Sequence, residues 1–223
     1  MPKITFHGHA CFLLEGDNGE DPLIFDPYLN DNPQAKVKAE QLEVSYILIS
    51  HAHQDHLGDA FSMAEANQAT IISTSEISRN AQGQGLKAHA MHIGGKCNFS
   101  FGWVKPTVAF HGAGIDGGHA CGFVVNFFDK KIYFAGDTGL FGDMKLIGDM
   151  SLDLALLPIG DNFTMGMEDA VIAASYLKAQ TIIPYHYNTW PLIEADPEKY
   201  RKEVEEKTNA ECIVMAPGES CPI

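Results

Sequence analysis

The sequence predicts an α+β protein, layered as helix–sheet–sheet–helix or built around a single mixed sheet. Three observations point there. Strand-like runs cluster in both halves of the chain, and helical patterns are interspersed among them. One strand ending also recurs: LIFDP in the first half and IYFAGD in the second close an aromatic-bearing strand on an aspartate, Asp26 and Asp137. With 223 residues, 45% of them hydrophobic, and no linker, repeat or low-complexity tract, the chain reads as one domain over 1–223.

The elements follow in order. KITFHGHACFLLE alternates and then turns apolar, as a strand does, and a turn rich in Gly, Asp and Asn leads into LIFDPYL. VSYILIS is a short β-branched run, the pattern of a strand buried on both faces. LGDAFSMAEANQ predicts a helix, TIIST a strand, and SEISRNAQGQG a helix ending at glycine. The middle, from HIGGKCNF onward, is β-rich, with FVVNFF and KIYFAG as a hairpin around the tight turn DKK. SLDLALLPIG is another buried strand and MEDAVIAASYLKA a helix with two acids in its first turn. TIIPYHY follows as a strand, DPEKYRKEVEEKTN as a polar helix with Pro197 near its start, and CIVMAPG as a last strand.

Composition removes several functions. No apolar stretch is long enough for a membrane span, and His7 and His9 stand where a signal peptide needs its apolar core. Five cysteines without a C-x-x-C pair argue against a disulfide framework and fit a reducing cytoplasm. Fifteen basic against twenty-nine acidic residues give a net charge of −14, a field that repels nucleic acid. A small-molecule substrate is expected instead, even an anionic one, since a bound metal dominates its local field. A compact acidic chain of this kind could also assemble as a homo-oligomer.

The chemistry concentrates in ILISHAHQDHLGD, where His51, His53, Asp55 and His56 leave the end of an apolar strand. In an irregular loop there, all four side chains can turn into one cleft. Imidazole and carboxylate are ligands for Zn²⁺ or another borderline divalent ion. One catalytic zinc normally takes three protein ligands, so four in one loop point to two metals. Further ligand candidates end other predicted strands: His111 in TVAFHGAG, Asp137 in IYFAGDTG and His186 in IIPYHYNTW.

HAHQDHLGD, followed by His111, Asp137 in GDTG and His186 in that order, resembles the H-x-H-x-D-H signature of the metallo-β-lactamase superfamily. GHACFLLE, LIFDPYL, PIGDNFTMGMEDA and PYHYNTWP are similar to its small stand-alone metal-dependent hydrolases related to ascorbate-phosphate lactonases. The resemblance implies an αββα sandwich with the metal site at one edge of the two sheets. It implies that His51, His53 and His111 hold one metal, that Asp55, His56 and His186 hold a second, and that Asp137 bridges them. It also implies a metal-bridging hydroxide as nucleophile, attacking a small ester, lactone or phosphodiester. Zn²⁺ is the expected metal, with Mn²⁺, Ni²⁺ or Fe²⁺ able to occupy the same donors. True β-lactamases of this fold commonly carry a cysteine where Asp137 stands, and flavodiiron relatives a glutamate where His53 stands. The first departure disfavours antibiotic hydrolysis, and the second favours hydrolysis over redox iron chemistry.

Asp55, Asp137 and His9 are the expected catalytic residues. Alternation along the opening strand puts His7 and His9 on one face, and the GHA motif selects His9 as proton donor or ligand. Asp26 and Asp59 are expected to orient ligand imidazoles from behind, the alternative being a turn aspartate and a first-turn helix acid. Asn162, Phe163 and Thr164 are candidate pocket residues, with Tyr187, Asn188 and Trp190 as a further wall, while His89, His92 and His119 read as surface histidines. Two rival functions remain: a non-catalytic metal or ligand sensor, against which the complete ligand set argues, and a redox di-iron protein.

Overall fold

The computed structural model describes residues 1–223. Two seven-stranded sheets lie face to face. The first contains β1 (Lys3–Phe6), β2 (Phe12–Glu15), β3 (Leu23–Phe25), β4 (Tyr46–Leu48), β5 (Thr70–Thr74) and β6 (Ala88–Met91), with the chain's last strand, β14 (Ser220–Pro222), beside β1. The second contains β7 (Cys97–Phe99), β8 (Gly102–Val108), β9 (Cys121–Phe127), β10 (Lys130–Phe134), β11 (Leu154–Pro158), β12 (Thr181–Tyr185) and β13 (Glu211–Cys212), side by side in chain order.

Burial on both faces of each sheet makes the layers. Phe12, Phe25 and Leu48 of the first sheet meet Phe123, Phe134, Leu156 and Tyr185 of the second in a central apolar layer. Helices α2 (Ala60–Asn67) and α3 (Ser75–Gly83) cover the outer face of the first sheet, bringing Met63 and Ile77 into one apolar layer with Ile47 and Ile71. Helices α4 (Met144–Gly148), α5 (Met167–Leu177) and α6 (Pro197–Lys207) cover the second, bringing Val171 and Tyr200 into one layer with Tyr133, Ala155 and Leu157. The chain is therefore a helix–sheet–sheet–helix sandwich, and the single mixed sheet is excluded. Period-2 alternation decides which layer a residue joins: in β4, Ile47 faces the helices and Leu48 the partner sheet. No helix is long and apolar enough to cross a membrane.

The recurrent aspartate has a topological meaning. In the first sheet β2 and β3 are antiparallel, whereas β3 and β4 are parallel. In the second, β9 and β10 are antiparallel and β10 and β11 parallel. Asp26 and Asp137 thus follow the strand at which each sheet changes from antiparallel to parallel. The rings that precede them, Phe25 and Phe134, stack across the sandwich with centroids 4.8 Å apart.

Four sequence expectations need correcting. The opening strand is two strands, because His7–Cys11 forms a turn closed by the His7 amide donating to the Cys11 carbonyl (2.8 Å). His9 sits in that turn at φ 57°, so strand alternation does not relate it to His7. The hairpin turn is Phe128–Asp129, both at positive φ (46° and 66°), while Lys130 and Lys131 already belong to β10. Two left-handed residues are what a two-residue hairpin turn of matching twist requires. Finally, CIVMAPG contributes only Cys212 to a strand, while α4 and β14 are too short for periodicity to reveal.

Candidate metal centre

The site lies at one edge of the sandwich, where the C-terminal ends of β4, β8, β10 and β12 come together. Parallel strands that end at one edge leave a crevice there, a common location for ligands. His51 follows β4 directly through Ser50, whose carbonyl accepts the Cys121 amide of the opposite sheet at 3.0 Å. His51 and His53 lie in extended chain, and a single helical turn, α1 (Gln54–Leu57), carries Asp55 and His56. The expected irregular loop is therefore half loop, half helix. Gly58 ends it at φ 39°, and a Cβ there would stand 2.5 Å from the Pro27 carbonyl oxygen. Only glycine allows that close approach.

Two clusters of donor atoms result. Nε2 of His51 lies 2.9 Å from Nδ1 of His53, and Nε2 of His111 lies 3.2 Å from the same atom. Asp55, His56 and His186, together with His9, form the second cluster, with Asp55 Oδ2 3.7 Å from His56 Nε2 and 3.9 Å from His186 Nε2. Asp137 stands between them. Its Oδ1 is 3.2 Å from His56 Nε2, and its Oδ2 is 3.1 Å from His186 Nε2 and 3.5 Å from His111 Nε2. All seven residues expected as metal ligands thus converge on one place.

The buried atoms at the centre of this group lack partners. His56 Nε2, His186 Nε2 and Asp137 Oδ1 are inaccessible to solvent and make no hydrogen bond. Buried polar atoms are normally paired, and three orphans aimed at one another mark a place for a cation. The donor set of imidazoles and carboxylates fits a borderline divalent metal.

Behind the cluster, Asp26 organises two ligands at once. Its Oδ2 accepts from His56 Nδ1 at 2.7 Å and from the Ser50 hydroxyl at 2.6 Å, and its Oδ1 accepts the Ser50 amide at 2.7 Å. Since Ser50 donates its only hydroxyl proton to Asp26, its oxygen must accept from His51 Nδ1, 2.9 Å away. Both His51 and His56 therefore carry their proton on Nδ1 and present a bare Nε2 to the centre when neutral. Asp26 thus reaches the imidazoles as expected of it, and Ser50 is the link that the sequence did not reveal.

Asp59 does not take that role. Its carboxylate accepts the backbone amides of Leu29 and Asn30, each at 2.9 Å, and touches no imidazole. It pins the loop after β3 to the start of α2, and it is the residue before the helix without capping it. His9 is fully buried and faces Asp55, not open solvent. Its Nε2 lies 3.0 Å from Asp55 Oδ2 and its Nδ1 2.8 Å from the Thr189 hydroxyl. With both nitrogens engaged, it is placed to hold Asp55 rather than to reach a leaving group. His7 is buried elsewhere with neither ring nitrogen paired.

Electrostatics at the centre are set by burial against charge. For His56, desolvation disfavours the cation, but Asp137 and Asp26 outweigh it and hold the imidazole well above its ordinary range in the metal-free chain. Burial raises Asp137, and the charges of His186 and His56 more than reverse this, leaving it well below the carboxylate range. Asp55 behaves alike: burial is outweighed by the His9 hydrogen bond and by His56, so it stays ionised. Burial pushes His9 down to about 4, which makes it a neutral imidazole near pH 7.

Above the donors opens a cleft of about 510 Å³ lined by Tyr28, Gln54, Phe163, Trp190 and Leu192 beside the candidate ligands. Of the three expected pocket residues only Phe163 lines it. The Asn162 amide donates to Asp161 Oδ1 and the Thr164 hydroxyl to the Met165 carbonyl, so both serve their own loop. Trp190 lines the cleft, whereas Tyr28 and Leu192 lie in segments with no ligand motif to announce them.

Residues 21–187 match the model of the beta-lactamase superfamily domain, a span that includes all seven converging residues. The chain belongs to the beta-lactamase superfamily. Within this superfamily it is 55% identical to a UPF0173 metal-dependent hydrolase of Natranaerobius thermophilus, over 98% of both chains. A UPF0173 metal-dependent hydrolase of Pelotomaculum thermopropionicum is 50% identical over 98% of both chains. Among solved structures, Igni18, described as a novel metallo hydrolase from Ignicoccus hospitalis, superposes with a TM-score of 0.92 at 34% identity, covering 99% of this chain and 97% of that one. Membership accounts for the four layers.

Proposed function

We propose that this superfamily member is a metal-dependent hydrolase of a small ester, lactone or phosphodiester. One observation carries the reading: two donor clusters meet at Asp137 on the floor of an open cleft, with buried donor atoms left unpaired. The metal-dependent hydrolases among its relatives support it. His51, His53 and His111 would hold one divalent cation, Asp55, His56 and His186 a second, and Asp137 would be shared. Zn²⁺ suits this mixture of imidazole and carboxylate best. Bound there, two such cations lower the pKa of water from about 15.7 towards neutrality and polarise a carbonyl or phosphoryl oxygen.

The chain's own residues do the positioning. Asp26 and Ser50 fix the protons of His51 and His56 on Nδ1, so that each offers Nε2 in one orientation. His9, held by Thr189, donates to Asp55 and keeps its carboxylate turned inward and ionised. Asp137, well below the usual carboxylate range, is available as an anion at any working pH. Five free cysteines suit a reducing compartment, and the cytoplasm is the proposed location.

The test is a comparison of zinc-loaded and chelator-stripped protein on p-nitrophenyl esters, small lactones and bis(p-nitrophenyl) phosphate. Zinc-dependent turnover of at least one class is expected, and it should vanish in Asp137→Ala. Stoichiometric metal binding without turnover of any class would favour the sensor instead. Iron with an oxygen-dependent spectrum would favour the redox protein.

A further inference from the structure

The cleft has a polar floor and an apolar wall, and the metal centre accounts only for the floor. Apart from the Tyr28 phenol, its ionisable lining residues are His53, Asp55, His111, Asp137 and His186, all candidate ligands, and no lysine or arginine lines it. The wall is formed by Phe163, Trp190 and Leu192, of which Phe163 is 46% and Leu192 66% exposed.

A lone exposed apolar side chain needs no explanation. These differ because two separately braced loops bring them to one cleft. In the first, Gly160 and Gly166 pair as an antiparallel bridge, the Asp161 amide donates to the Met165 carbonyl (3.1 Å), and the Met165 amide donates to the Thr138 carbonyl (2.9 Å). Asp161 and Asn162 take left-handed conformations, φ 59° and 46°, immediately before Phe163. That conformation costs energy in ordinary residues and is tolerated best by Asn and Asp.

In the second loop, Asn188 holds the turn with three hydrogen bonds. Its amide donates to the Ile193 carbonyl (2.8 Å), its Nδ2 to the Ala195 carbonyl (3.0 Å), and its Oδ1 accepts the Ala195 amide (2.9 Å). Ile193 is fully buried beneath the turn while its neighbour Leu192 stands in solvent. Both loops are thus fixed with apolar tips uncovered beside a hydrophilic centre. Pre-organised apolar surface of this kind favours binding, because little ordering remains to be done when it is covered.

We infer that the substrate carries an uncharged, apolar substituent, an alkyl or aryl group, next to the bond that is cleaved, and that Phe163, Trp190 and Leu192 select it. The inference rests on the hydrolase reading for the bond broken but not for what the wall binds. An anionic substituent lying on the wall, away from the metals, would meet no basic side chain. A cationic one would lose hydration against the three apolar side chains without gaining an unliganded carboxylate.

The experiment reads binding and turnover separately. Trp190 is one of only two tryptophans, so in a Trp103→Phe background its fluorescence reports on the cleft. The zinc-loaded protein is titrated with N-butyl-, N-pentyl- and N-hexylacetamide, and with hexyl analogues ending in a sulfonate, a poor zinc ligand, or an ammonium group. Each added methylene should tighten Kd about two- to fourfold, as partial burial of a CH₂ implies. Both charged analogues should bind at least about tenfold more weakly than the neutral hexyl compound. Phe163→Ala and Leu192→Ala should flatten the chain-length dependence. In a parallel assay, kcat/KM for p-nitrophenyl acetate, butyrate and hexanoate should rise along the series in the parent protein, and the rise should shrink in Leu192→Ala. A flat series, an equally well bound charged analogue, or a slope unchanged in both variants would overturn the inference. Chain-length-dependent binding without hydrolysis of any ester, lactone or phosphodiester would sink the hydrolase reading and leave the wall's specificity standing. Hydrolysis with a flat series would do the reverse.

Discussion

The two sheets furnish the metal centre in different ways. The first delivers four donors from one short segment, His51 to His56, and braces them with side chains: Asp26 holds His56 directly and His51 through Ser50. The second delivers three donors, His111, Asp137 and His186, each from the end of a different strand, and relies on backbone geometry. Gly136 precedes Asp137 at φ 63°, where a Cβ would come within 2.6 Å of the Cys121 carbonyl oxygen. His186 itself takes φ 57°, with its amide donating to the His9 carbonyl at 2.8 Å. The first set is therefore sensitive to polar substitutions behind it, and the second to the packing that fixes the strand ends.

The largest effect should come from the residue that both halves share. Asp137→Ala should reduce turnover by at least about 10³-fold and lower metal content, with the circular dichroism spectrum unchanged. Next comes the brace of the first half. Asp26→Asn should weaken metal affinity by about 10–100-fold, measured by chelator competition, and should affect both clusters because both imidazoles lose their orienting partner. Ser50→Ala sharpens the contrast: it should weaken only the cluster that contains His51, by about tenfold. His9→Gln should act only on the cluster containing Asp55, giving a loss of similar size in affinity. Equal losses at both clusters from Ser50→Ala or His9→Gln would break the division between them. For the second half, Tyr185→Phe removes the hydroxyl that donates to the Gly136 carbonyl beside Asp137. It should cost about 1 kcal/mol in chemical unfolding, with affinity for the metals reduced only slightly.

The same contrast explains what could be read from the sequence. Ligands crowded into one segment are visible as spacing, and HAHQDH discloses the first half directly. His111, Asp137 and His186 are visible only as polar residues ending apolar runs, and their convergence depends on a sandwich that aligns those ends. The repeated strand–aspartate ending was informative because it marks the strand where each sheet changes direction, a correspondence that pattern alone could suggest but not define. Alternation does not relate His9 to His7, because Gly8 at φ 99° and His9 at φ 57° break it, yet the GHA motif does point to the imidazole that reaches Asp55. Asp59 looked like a ligand brace because it lies so near the motif, yet backbone amides of the preceding loop take up its carboxylate. Ser50 and Thr189 do not stand out in the sequence because their partners Asp26 and His9 are distant along the chain, and the cleft positions of Tyr28 and Leu192 emerge only once the loops are assembled.

Both halves matter to catalysis only if, as proposed, the two donor clusters form one two-metal site with Asp137 between them. Anomalous diffraction from crystals of zinc-loaded protein tests it most directly. Two peaks about 3.5–4 Å apart are predicted, one among His51, His53 and His111 and one among Asp55, His56 and His186, with the Asp137 carboxylate reaching both. A single peak at full zinc occupancy, or a second peak remote from Asp137, would contradict it.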